Sequence, residues 1–145
     1  MKKFSGGKTL AVVAVAGGAV LASIAPVMAD VSAQSPSLGL VRVETPVKWK
    51  SLGAVLEVPV TYTCPVGTQS PYLQVNVTQS VLGGIASGNA YRDNLNCTGG
   101  FETVTLNVTA ESRSFSLLTP AFAKADLRGY PNVSARDERE VRVGL

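Results

Sequence analysis

The chain has 145 residues, a formal net charge of +3, two cysteines and no histidine. That length accommodates one domain with a leader or tail. The missing histidine excludes Ser-His-Asp and Cys-His nucleophile systems and any His-ligated metal site. With 46% hydrophobic and 16% charged residues, the composition is that of a folding chain rather than a disordered one.

Residues 1–29 have the three parts of a secretory signal peptide. Lys2, Lys3 and Lys8 form a positive n-region, and an apolar, helical stretch runs from Leu10 to about Ala25. Pro26 ends it, and Val27 and Ala29 are the small residues expected before a cut between Ala29 and Asp30. The alternative is an uncleaved membrane anchor, for which the apolar stretch is short and interrupted by Gly17-Gly18. No twin arginine and no lipoprotein cysteine accompany it, so the general secretory route is expected. Removing 29 of the 145 residues leaves 116. The three lysines leave with the leader, so ten basic residues then face ten acidic ones and the net charge is zero. Nucleic acid and, once the leader is gone, membrane are therefore not expected as partners.

Residues 30–38 read as a flexible linker and 39–145 as the folded domain. Val41, Val43, Thr45, Val47 and Trp49 share one parity, opposite Arg42, Glu44, Pro46, Lys48 and Lys50. This predicts a half-buried edge strand kinked at Pro46. Trp49 has the parity of the valines, so a core role outweighs a sugar- or anion-binding one. After a turn at Ser51-Leu52-Gly53, Leu56, Val58, Val60, Tyr62 and Cys64 form the inward side of a second strand. Residues 65–71 read as a loop. Leu73, Val75 and Val77 mark a third strand. Gly83-Gly84 and Ser87-Gly88-Asn89 break the pattern, leaving a weak strand or an open loop. Tyr91 to Cys97 reads as a strand, Thr98-Gly99-Gly100 as a hairpin turn, and Val104, Leu106 and Val108 as the next strand. Ala121, Ala123, Ala125 and Leu127 alternate as in a strand, although alanine also suits a helix. The mixed-sign run Arg136-Asp137-Glu138-Arg139-Glu140 reads as a solvated edge, with calcium binding through Asp137 and Glu138 as the minor alternative. Val141, Val143 and Leu145 close the chain as a terminal strand.

Cys64 and Cys97 survive processing, and a pair in an exported chain reads first as a disulfide. Free or exchanging thiols are the alternative. The pattern as a whole is all-β: about seven or eight short antiparallel strands, as in a sandwich or barrel, behind a helical leader.

Val58-Pro59-Val60-Thr61-Tyr62-Thr63-Cys64-Pro65, Val75-Asn76-Val77-Thr78-Gln79, Cys97-Thr98-Gly99-Gly100 and Val104-Thr105-Leu106-Asn107-Val108 resemble segments of a known group. It comprises small secreted actinobacterial proteins of uncharacterised function. Phe115 and the alternating Ala121, Ala123 and Ala125 extend the likeness over most of residues 54–127. The resemblance implies an immunoglobulin-like β-sandwich with one disulfide, and brings no functional residues with it. The chain departs from antibody-type domains in its cysteine spacing and in having Trp49 before both cysteines.

Candidate site residues are few. Tyr72, Tyr91 and Tyr130 sit near strand ends and would make a contact surface if the fold gathers them. No catalytic, cofactor-binding or metal-binding set is marked, and no cofactor is expected. The function expected is therefore a secreted, extracellular, non-catalytic binding or envelope-associated module. Its partner would be a cell-envelope component or another secreted protein. Two alternatives are an inhibitor of a secreted hydrolase, presenting loop 65–71 or 82–90, and a small carboxylate-dependent hydrolase.

Overall fold

The computed structural model describes residues 37–145. Residues 1–36 lie outside the described part, and with them the expected leader, its cut between Ala29 and Asp30, and most of the 30–38 linker. Among the described residues the chain is all-β, with nine strands where seven or eight were expected. They are β1 (Leu40–Val43), β2 (Val47–Lys50), β3 (Val55–Thr63), β4 (Gln69–Val81), β5 (Gly84–Asp93), β6 (Phe101–Ala110), β7 (Ala121–Tyr130), β8 (Val133–Val141) and β9 (Val143–Gly144). A single 3-10 turn, Ser51–Gly53, separates β2 from β3.

The strands are hydrogen-bonded in the order β8-β7-β4-β5-β6-β3-β2-β9, with β1 also on β3. Every pairing is antiparallel except β2 with β9, where Val47 and Lys48 run alongside Val143 and Gly144. β8 and β9 are separated only by Arg142, so the sheet nearly closes on itself. The remaining seam lies between β1 and β8 and is bridged without a backbone ladder. Leu38 N–H donates to the Asn132 carbonyl at 3.1 Å. Ser134 N–H donates to Ser37 Oγ at 3.1 Å, and Val43 N–H donates to Asp137 Oδ2 at 2.7 Å.

Alternation builds the interior. Leu56, Val58, Val60 and Tyr62 of β3 are all buried, as are Leu73, Val75 and Val77 of β4 and Ala121, Ala123, Ala125 and Leu127 of β7. These inward rows fill the space enclosed by the sheet, together with Val43, Val47, Leu106, Val108 and Val141. The stripe at 121–127 is thus strand throughout. Gln79 continues the inward parity of β4 and is 2% exposed. Its amide donates to the carbonyls of Ser116 and Thr119 at 2.8 and 2.6 Å. Its oxygen accepts from Ser116 N–H at 2.7 Å, which ties the β6–β7 connection down.

Four sequence expectations are corrected. The single strand over 41–50 is two, β1 and β2, broken around a cis Thr45–Pro46 peptide. Both lie on the same edge of β3, whose Pro59 faces the gap between them. The Pro59 carbonyl accepts from Glu44 N–H at 2.9 Å, so its missing N–H points the same way, where no ladder partner is needed. The weak stretch over 84–90 is part of a continuous ten-residue strand, β5, while the strand expected up to Cys97 stops at Asp93. The expected loop 65–71 is shorter, since β4 begins at Gln69 with an irregularity before Tyr72. By contrast, the charged run at 136–140 does lie on an end strand of the sheet, β8, with Arg136, Glu138 and Glu140 facing solvent and Asp137 and Arg139 half-buried.

Cys64 and Cys97 form a disulfide with their Cα atoms 5.0 Å apart. It joins the end of β3 to the segment between β5 and β6 rather than joining two strands. Tyr62, two residues before Cys64, donates its hydroxyl to the Asn96 carbonyl at 3.2 Å. Burial pushes the Tyr62 phenol above its ordinary pKa, and the bond to Asn96 offsets part of that.

Candidate functional site

The outward parity of β4 carries Tyr72, Gln74, Asn76 and Thr78. Cross-strand register decides what surrounds them. On β5, Asp93 pairs with Tyr72, Tyr91 with Gln74, Asn89 with Asn76 and Ser87 with Thr78. On β7, Arg128 pairs with Tyr72, Asp126 with Gln74 and Lys124 with Asn76. Tyr72 and Tyr91 are therefore diagonal neighbours on one face of two adjacent strands, close enough for their rings to share a site. Tyr72 is 38% exposed and Tyr91 74% exposed.

The two rings stand over an open hollow of about 460 Å³ lined by Ser70, Tyr72, Gln74, Tyr91, Asp93 and Asn94. Two irregular backbone positions complete its rim. Ser70, with φ of 49°, lies in the irregularity at the start of β4. Asn94, with φ of 52°, turns the chain out of β5. Asn94 is a residue type that tolerates the left-handed region.

Charge on this face is balanced. Arg136 Nε lies 2.7 Å from Asp126 Oδ1. Lys124 Nζ sits 3.8 Å from Asp126 and 3.9 Å from Glu138. The bond to Asp126 raises the Arg136 pKa further above its ordinary value. Arg128 and Asp93 flank Tyr72 from opposite sides.

Of the three tyrosines singled out from sequence, the fold brings Tyr72 and Tyr91 together. Tyr130 ends β7 opposite Gln69 and is exposed, but it does not line the hollow. Gln74 and Asp93 were missed because only the β4–β5 register makes them neighbours of the rings, and Ser70 and Asn94 because they lie in irregular backbone just beyond it. Trp49 is half-buried against the core, and its indole N–H donates to the Phe115 carbonyl at 2.8 Å, in keeping with the expected core role. Asp137 and Glu138 alternate on β8 and point to opposite faces, which does not suit a shared cation. Asp93 is the single carboxylate among the lining residues. Stretch 82–90, considered as an inhibitory loop, is strand from Gly84 onward and leaves only a tight turn at Leu82 and Gly83. No family model matches the chain, and no curated protein is similar to it.

Proposed function

We propose that the chain is an exported, non-catalytic binding protein that presents the Tyr72–Tyr91 face to a component of the cell envelope. The observation that carries this reading is the pair of exposed tyrosine rings sharing one hollow on the face of paired strands. Tyrosine supplies a large, stiff, amphipathic contact at little entropic cost, and strands hold it in place better than loops do. Export rests on the leader-like residues 1–29, and the Cys64–Cys97 disulfide is compatible with an oxidising, extracellular location.

The immunoglobulin-like sandwich belongs to the same proposal. Its support is the thinness of two joints in the sheet. β5 and β6 share two register pairs, Gly88 with Ala110 and Asn89 with Thr109. β2 and β9 also share two. Between those joints lie two broad arcs, β8-β7-β4-β5 and β6-β3-β2, that would stack as layers. A secreted actinobacterial lineage is the companion inference from the resembling segments.

The test is capture of the secreted protein on insoluble actinobacterial cell-wall material. Its intact mass, before and after reduction, should begin at Asp30 and show one disulfide. Wild type should be retained, and Tyr72→Ala with Tyr91→Ala should be washed off while keeping the wild-type circular dichroism spectrum. Absence of wild-type capture, or equal capture of the folded double variant, would overturn the proposal.

A further inference from the structure

We infer that the Tyr72–Tyr91 hollow is a subsite for an uncharged glycan chain, with sugar rings stacked on the two tyrosines and the chain lying along β4 and β5. This rests on the reading of that face as a binding surface and specifies its ligand.

The side chains in the hollow have the chemistry a sugar demands. One side of a pyranose ring presents C–H groups that pack on an aromatic face, and its rim presents hydroxyls that both donate and accept. Tyr72 and Tyr91 supply the faces. Gln74 and Asn94 supply amides that donate and accept, Ser70 a hydroxyl, and Asp93 a carboxylate acceptor. The volume of about 460 Å³ lies within the ~300–1,000 Å³ of small-ligand sites.

Charge selects against other polymers. The cations that would attract phosphate are already engaged, Arg136 by Asp126 and Lys124 by Asp126 and Glu138. Arg128 is exposed and is not ion-paired with Asp93, which lies on the opposite side of Tyr72. A nucleic acid or an anionic lipid surface would meet as many carboxylates as cations on this face, Asp93, Asp126 and Glu138 against Lys124, Arg128 and Arg136.

The shape favours a chain over a single sugar. The hollow lies on the face of the sheet, so a ligand can leave it along the strands. Beyond the tyrosines the same two strands offer further outward polar pairs, Asn76 with Asn89 and then Thr78 with Ser87. A polymer running down this track would meet amide and hydroxyl groups at each step. A protein partner would be expected to seek an apolar centre depleted of such groups.

The experiment compares three forms of actinobacterial cell-wall material: untreated, protease-digested, and protease-digested then extracted with organic solvent. Wild type should be retained on all three, because the carbohydrate survives both treatments. Retention should persist from about 0.05 to about 0.5 M NaCl, a range over which attraction to a polyanion would be screened away. Tyr72→Ala and Tyr91→Ala should each weaken binding about tenfold or more, while Tyr91→Phe keeps the ring and stays near wild type. Loss of capture after protease would identify a protein partner and overturn the glycan inference while leaving the binding proposal standing. Loss after solvent extraction would do the same in favour of a lipid. Loss with salt would show a charged ligand, again overturning only the uncharged glycan. If untreated material fails to retain the protein, both proposals fall together.

Discussion

Asp137 joins two strands that share no backbone ladder. Its Oδ2 accepts from the Val43 N–H of β1 at 2.7 Å, and Arg139 on its own strand grips it through Nε at 2.7 Å and Nη2 at 2.9 Å. Burial alone would raise the Asp137 pKa. The Arg139 bonds, the Val43 N–H and the nearby positive charge of Arg42 outweigh that, and the net shift is downward. A carboxylate held below its unfolded value contributes stability that is complete above the unfolded pKa, about 3.9, and is lost as pH falls through the folded pKa. Asp137→Asn should therefore be less stable than wild type at pH near 6, and the gap should narrow once pH drops below about 4. Urea unfolding midpoints across that range measure it. A gap that stays constant into acid would mean the carboxylate's charge has no part in closing the seam.

At the scale of elements, legibility followed chemistry. β3, β4, β6 and β7 alternate apolar and polar residues, and a strand with one face on a core can hide neither its period nor its register. β8 was illegible because its inward positions include Asp137 and Arg139, which line an open seam instead of a hydrocarbon interior. β5 was illegible because its glycines look like breakers. Gly88 is there for another reason: β6 passes so close that a Cβ at this position would overlap the Thr109 carbonyl oxygen and lie 2.9 Å from Val108 Cγ1. The tyrosine site was half legible, since composition could nominate Tyr72 and Tyr91 but only the β4–β5 register makes them neighbours. Gly88→Ala is expected to cost about 2–4 kcal/mol, because either the β5–β6 joint or the Val108 packing must give way. Gly100→Ala is the contrast. Its nearest neighbour would be Thr98 Oγ1 at 3.6 Å, and it should stay within about 0.5 kcal/mol of wild type. Equal midpoints in denaturant for the two variants would refute a close approach at Gly88.

For the whole molecule the disulfide acts where the chain crosses from β5 to β6. That crossing begins at Asp93 and Asn94, on the rim of the tyrosine hollow, and returns at Phe101. Four fixings hold it. Leu95 is buried, and its N–H reaches the Pro71 carbonyl at 3.4 Å. Tyr62 bonds Asn96, Cys97 is bridged to Cys64, and Gly99 N–H donates to the Cys64 carbonyl at 3.0 Å. Only the bridge constrains the unfolded chain as well as the folded one. The cysteines are 33 residues apart, and closing a loop of that length is worth about 3–4 kcal/mol on the chain-entropy account. In a domain near 110 residues that corresponds to a fall in Tm of roughly 13–17 °C. Replacing both cysteines by serine should produce that fall while the strand signal in circular dichroism is retained at low temperature. Amide exchange should quicken first over residues 94–100, since this segment loses its covalent tie while β3, β4 and β5 keep their ladders. The same variant should then bind cell-wall material more weakly than wild type at a temperature where both are folded, because Asp93 and Asn94 are held by the crossing. Exchange that quickens uniformly, or a Tm within about 3 °C of wild type, would mean that the core alone fixes the crossing and that the bridge is incidental to the site.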